Sequence, residues 1–330
     1  MTTKEHRTKE GVEKKQEAGK QRRSEPKSPE REAQDAREQL LAGIPVTERR
    51  VDIADVSTAV LEGGDGPPMV LLHGPGESAV WWMRVIPELV KTHRVVAPDL
   101  PGHGASAVTA NPLDTDGVLA WLEELLEETC PEPPVLVGHL LGGAIAARYA
   151  ADHGDRIRGL VLVDSLGLAR FRPSPKFAFG LLRYLVRPTE RSYTSFLDQC
   201  MADRDGLIGE LGPDWEPFVA YNLDRSRTSS VKAAMRTLMK EVGVPVIPGE
   251  KLEGISVPTT LIWGRHDRAI RLGIAEEASE RYGWPLYVIE NAADDPKLEQ
   301  PEAFLQSLHT ALEATDLPQP SGSDTWSITG

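Results

Sequence analysis

Any chemistry in this 330-residue chain has one natural centre, the stretch VLVGHLLGGAIAARYAADHG from Val135 to Gly154. A short apolar strand runs into Gly138-His139-Leu140-Leu141-Gly142-Gly143, and an alanine-rich helix follows. Glycines on both sides of one residue let a strand fold straight into a helix, which lifts the central side chain at the carboxyl edge of a sheet. A hydroxyl, thiol or carboxylate held there attacks an electrophile once a neighbouring base activates it. The residue in that position is Leu140, which has no lone pair. No other motif stands in for it. GHLLGG is not G-x-G-x-x-G, no phosphate-cradling loop appears, and the histidines are scattered, so neither a cofactor nor a metal is expected.

The elements around this turn alternate strand and helix. ERRVDIADVSTAVLEGGDGPP reads as two short strands ended by a Gly/Pro cluster. MVLLHG is a continuous apolar strand of the kind buried on both faces of a parallel sheet. A helix is predicted from about Ser78 to Lys91, then the buried strand HRVVAPDL, then a helix within Asn111–Thr129. The turn strand and its helix come next, then GLVLVDS as a sixth strand. From about Gly167 to Leu252 the rhythm changes to amphipathic helices broken by prolines. It resumes with TTLIWG, a helix near Leu272–Tyr282, PLYVIE, and a last helix over Pro301–Ala314. Such a series means an α/β fold: a doubly wound, mostly parallel sheet with an inserted helical lid.

Composition limits the partners. Residues 1–40 sum to about +2, so the remainder holds about −15 of the net −13. An acidic body argues against nucleic acid. No apolar run reaches the roughly 18 residues needed to span a bilayer, and the N-terminus lacks the apolar core of a secretory signal. Two cysteines, Cys130 and Cys200, make a disulfide framework improbable and point to a reducing, cytoplasmic compartment. Residues 1–42 contain no aromatic and read as a disordered charged leader, with transient helix from Ser28 to Leu41, that would suit a protein partner. The expected organisation is then core over 43–167, cap over 168–250, core again over 251–316, and a loose tail over 317–330.

These motifs resemble the α/β-hydrolase superfamily, and the likeness extends from about residue 46 to residue 314. Gly138–Gly142 resembles the family's nucleophile elbow, usually G-x-S-x-G. LLHGPGES resembles its HG turn, APDLPGHGAS its D-x-x-G-x-G-x-S loop, LIWGRHD the turn carrying its acid, and LEQPEAFLQSL the start of its last helix. The resemblance implies a nucleophile, a histidine, an acid and an oxyanion hole of two backbone N–H groups. Asp267 sits where the acid belongs. Leu140 replaces the nucleophile, and AADDPKLEQP puts Asp294 in place of the histidine. His309, well inside the last helix, is a poor substitute. The oxyanion region is Gly74, Pro75, Gly76 and Leu141, and Pro75 has no N–H to give. HGPGES also resembles the HGFPES turn of epoxide hydrolases, whose glutamate is usually structural and whose elbow aspartate is missing here. The family's pattern makes His73 and His139 structural. Those two, with Trp81 and Ser165, are expected around the pocket.

Two main readings stay open, beside a third in which a relocated hydrolytic site uses Ser165 or a lid residue. In the first, Asp267 and Asp294 face each other across a cleft, share a proton, and do general acid/base work on a small, largely apolar molecule under the cap. Water-mediated hydrolysis, elimination, isomerisation and cyclisation all fit that site. In the second, Asp294 is structural or ligand-binding, and the chain is an inactive small-molecule receptor or a protein-interaction module.

Overall fold

The computed structural model describes residues 29–110 and 113–315. Its sheet is built from β1 (Thr47–Ile53), β2 (Val56–Gly63), β3 (Pro68–Leu72), β4 (Arg94–Pro98), β5 (Ala107–Val108), β6 (Val135–His139), β7 (Gly159–Val163), β8 (Thr259–Gly264) and β9 (Leu286–Ile289). The spatial order is β1-β2-β4-β3-β6-β7-β8-β9, with β5 beside β2. β1, β2, β4 and β5 pair antiparallel through β2, and every pair from β4 to β9 is parallel. The two-residue β5 is one strand more than the sequence pattern shows.

Strand alternation divides the core. Val70, Leu72, Leu160 and Leu162 face one apolar layer, while Met69, Leu71, Val161 and Val163 face the other. Helices α1 (Pro29–Leu41), α2 (Ile86–Leu89), α3 (Thr115–Thr129) and α4 (Leu141–Asp152) precede the cap. The cap helices are α5 (Pro175–Val186), α6 (Glu190–Cys200), α7 (Arg204–Leu211), α8 (Trp215–Arg227), α9 (Ser229–Leu238) and α10 (Gly249–Glu253). α11 (Leu272–Tyr282), α12 (Pro296–Glu299) and α13 (Pro301–Thr315) complete the core. Among the described residues no helix is long and apolar enough to cross a membrane.

Two expectations need correction. The helix over Ser78–Lys91 is broken into a 3₁₀ turn, Ala79–Trp82, and the single turn α2. The tight first turn sends Trp81 into the cap-side layer and Trp82 into the opposite one, which a smooth helix does poorly for adjacent residues. The leader over 1–42 is also not wholly disordered, because residues 29–41 form α1. Ala33, Ala36 and Leu40 make a small-residue stripe that packs on α8. Arg37, 1% exposed, donates to Glu48 Oε2 (2.8 Å) and to Tyr221 Oη (2.8 Å), and its Nη2 lies 3.0 Å from Asp99 Oδ2. The transient helix expected over Ser28–Leu41 is thus a formed helix, held by the Arg37 bonds and by its packing on α8. The rest of the leader and the tail from residue 316 lie outside the described residues.

Candidate functional site

The elbow keeps its geometry without its nucleophile. Leu140 holds φ 45° and ψ −105°, a strained conformation for leucine. Its N–H donates to Val163 O (3.0 Å), and its carbonyl accepts from Ala144 and Leu166 (3.1 Å each). A Cβ on Gly142 would lie 2.2 Å from Leu72 O, so only glycine lets α4 come this close to β3. Leu141 heads α4, and its N–H has no partner within the helix. Gly74 donates instead to Glu77 Oε2 (2.8 Å), and Gly76 adopts φ +76°. The oxyanion region therefore offers the Leu141 N–H, while Pro75 brings no donor.

Above Leu140 lies a cavity of about 320 Å³. Cap residues Phe177, Leu181, Tyr184, Phe196, Met235 and Met239 make its apolar wall, and Pro75, Gly76, Trp81, Leu140, Asp294 and Asp295 lie at its core end. Trp81 is fixed by its Nε1–H to Asn222 Oδ1 (2.8 Å). His73, His139 and Ser165 are not among the lining residues, which corrects that expectation. All three are fully buried behind the floor. His73 accepts from Leu100 N at Nε2 (2.9 Å), so its Nδ1–H donates to Gly74 O (2.8 Å). Burial holds its pKa below the ordinary value. Ser165 donates to Leu166 O and fills the space against Gly143, so it is not free at the rim. His309 is exposed on α13.

Asp267 and Asp294 are brought together, and a third carboxyl joins them. Asp267 Oδ1 accepts from Ala269 N (2.6 Å) and Ile270 N (2.8 Å), while Oδ2 has no N–H donor. Asp164, at the end of β7 with φ 43°, accepts from Gly264 N (2.9 Å) and lies within hydrogen-bonding reach of Asp267. Two carboxyls in that contact need one proton between them. Asp294 is the neighbour that reaches the cavity. Its N–H donates to Cys200 O (3.1 Å), and its Oδ1 is buried without a partner. Burial, then repulsion from Asp267, pushes Asp294 well above the carboxylate range, and the same two causes act on Asp164. Burial carries Asp267 up to about 7, against the opposing N–H bonds of Ile270 and Ala269. Sequence reasoning missed Asp164. Its signal was an aspartate at the carboxyl end of a buried parallel strand, where α/β sheets place their sites.

Beside this triad lies a second cluster with a cation at its centre. Lys297, 0% exposed, places Nζ 2.5 Å from Asp295 Oδ1, 3.0 Å from His139 Nδ1 and 3.7 Å from Glu77 Oε2. It also lies over the Trp82 ring. His139 Nε2–H donates to Asp294 O (2.6 Å), and Nδ1 lies 3.0 Å from the lysine Nζ and 3.2 Å from Glu77 Oε2. Glu77, His139 and Asp295 lie close enough together to ligate a cation, and the lysine ammonium supplies that cation. Burial would raise Glu77, but attraction to Lys297 and then His139 outweighs it and sets the carboxyl at about 2. Burial leaves Asp295 at about 6 in spite of Lys297.

An inserted helical cap over a mostly parallel sheet, an intact elbow and an acid after β8 define the class, and residues 67–190 match the family model described as alpha/beta hydrolase fold. The chain has the α/β-hydrolase fold. It is 27% identical over 260 residues to a pimeloyl-[acyl-carrier protein] methyl ester esterase of Aeromonas hydrophila, covering 76% of this chain and 97% of that one. It is 26% identical to a 2-hydroxy-6-oxo-6-(2'-aminophenyl)hexa-2,4-dienoic acid hydrolase of Metapseudomonas resinovorans, covering 78% and 88%. In structure it is similar to carboxylesterase CesB (YbfK) of Bacillus subtilis, with a TM-score of 0.73, 21% identity, and coverage of 86% and 98%.

Proposed function

We propose that this chain is an enzyme that takes a small, largely apolar molecule beneath a cap formed by residues 168–250 and works on it with carboxyl groups. One observation carries this reading: Asp294 Oδ1 is buried, unpartnered, and set at the core end of an apolar cavity. An orphaned buried oxygen costs stability, and a ligand or water that hydrogen-bonds to it recovers that cost. Asp294, kept protonated by burial, is suited to donate a proton to a leaving group or carbonyl. Leu140 supplies a dry floor in place of a nucleophile. The named activities of the relatives suggest the first substrates, a methyl ester and a hexadienoic acid. Water-mediated hydrolysis, elimination, isomerisation and cyclisation all remain within reach of such a site.

The Leu140 side chain in the cavity supports a second reading, a receptor that binds without turnover. Hydrolysis of a methyl ester and an activated short-chain ester by three proteins separates the two. These are the wild type, Asp294→Asn, and the repaired variant Leu140→Ser with Asp294→His. Turnover by the wild type that disappears in Asp294→Asn supports the acid/base reading. A silent wild type beside an active repaired variant would leave an open pocket and a binding role.

A further inference from the structure

Helix α5 is apolar on two faces. Phe177, Leu181 and Tyr184 point inward and line the cavity. Phe179, Leu182 and Val186, at i, i+3 and i+7, form a second stripe pointing out, with exposures of 69%, 60% and 76%. A helix that only covers a cleft turns polar side chains to water. Six large apolar side chains stand out as exposed among the described residues, and four of them, Phe179, Leu182, Leu185 and Val186, belong to this one helix. Leu185 is 40% exposed and also lines the cavity, so the outer stripe and the cavity wall form one continuous apolar surface.

The charge here reverses that of the protein. From Ser165 to Thr189 the chain has five basic residues and no acidic one, although its net charge is −13. Arg170, Arg172, Lys176, Arg183 and Arg187 are all exposed, and none has a carboxylate partner among the described residues. A second copy of the chain, meeting the patch through the same patch, would set these cations against each other. The segment 1–28 has nine basic and five acidic residues, so it does not complement the patch either.

We propose that the outer face of α5 docks on an anionic lipid bilayer, with Phe179, Leu182 and Val186 entering the interface and the five cations meeting the headgroups. An exposed apolar stripe flanked by Arg and Lys is the pattern of a helix lying in the membrane plane. The cavity then opens toward the lipid through Leu185 and draws its apolar ligand from the bilayer. This goes beyond the acid/base reading and does not rest on it, because vesicle binding needs no turnover.

The test is flotation of the full chain with vesicles of phosphatidylcholine, alone or mixed with phosphatidylglycerol, at low and high salt. The wild type floats with the anionic vesicles on the order of tenfold more than with phosphatidylcholine alone, and salt weakens this. Phe179→Asp with Val186→Asp abolishes flotation on both vesicles. Arg183→Glu with Arg187→Glu removes the anionic preference alone. These side chains are exposed, so unchanged thermal unfolding verifies the fold of each variant. A wild type that stays in solution with both vesicles overturns the proposal, as do variants that float like the wild type. So does a dimer that the Phe179 and Val186 changes disperse without any flotation, since the occupant would then be a second copy.

Discussion

Two neighbouring groups of buried carboxyls lie at the core end of one cavity, and only one of them encloses a lysine ammonium. Glu77 and Asp295 surround the ammonium of Lys297, and Glu77 is held at about 2. Asp164, Asp267 and Asp294 have no cation among the described residues, and all three are pushed upward, Asp267 to about 7. Burial is nearly total in both groups, so desolvation does not distinguish them. The difference lies in Lys297 and His139, which fix Glu77 as a carboxylate and hold Asp295 at about 6, while the other three carboxyls face burial without such a neighbour.

The strongest way to break this contrast is to remove the cation. Lys297→Met leaves Glu77 and Asp295 buried without their lysine cation and should cost about 3–5 kcal/mol in denaturant unfolding. Arg37→Met repeats the experiment at a distant paired carboxylate. It strips Asp99 of its cation, while the N–H bonds of Ala79 and Ala105 to Asp99 remain, so about 3 kcal/mol is expected. Proteolysis in α1 should speed up with it.

Protonation sharpens the contrast through pH. Asp267 keeps its proton when folded to about 7, whereas an unfolded aspartate loses it near ~4. The folded state binds more protons in that window, so this group makes stability fall as pH rises through it. Asp267→Asn keeps an oxygen for the Ala269 and Ile270 N–H groups and removes the penalty. It should gain about 2 kcal/mol on the wild type between pH ~4 and ~7, read from unfolding curves. Glu77 has the opposite sign. Its contribution is present above the ordinary glutamate value and is lost as pH falls toward about 2. The smallest effect belongs to an exposed carboxylate. Asp114 caps α3 by accepting from Gly117 N (2.9 Å), and Asp114→Ala should cost about 1 kcal/mol in thermal unfolding.

The elbow, the acid turn and the strand series were legible because each is written in local spacing: glycines around Leu140, aspartate in GRHD, apolar runs of five or six residues. The floor was legible only in part. Asp294 follows from counting back from Glu299-Gln300-Pro301, but Asp164 meets Asp267 only because β7 and β8 are neighbours in the sheet. Lys297 reads as a solvated residue in a loop, and nothing in DDPKLEQP says that two tryptophans and two carboxylates bury it. Pairings between distant segments decide those roles, and no local pattern encodes them. Asp267 and Asp294 as reacting groups remain our proposal, resting on their position and burial.

The arginine of α1 has a consequence for the birth of the chain. Arg37 leaves the ribosome 184 residues before its partner Tyr221. At ~5–20 residues per second, the helix waits on the order of ten seconds or more before the surface that houses it exists. Until then its guanidinium and its alanine stripe stay in water, and α8 cannot settle on α1. Docking of α1 on α8 is therefore a clasp between segments made at different times, an earlier helix held by a later one.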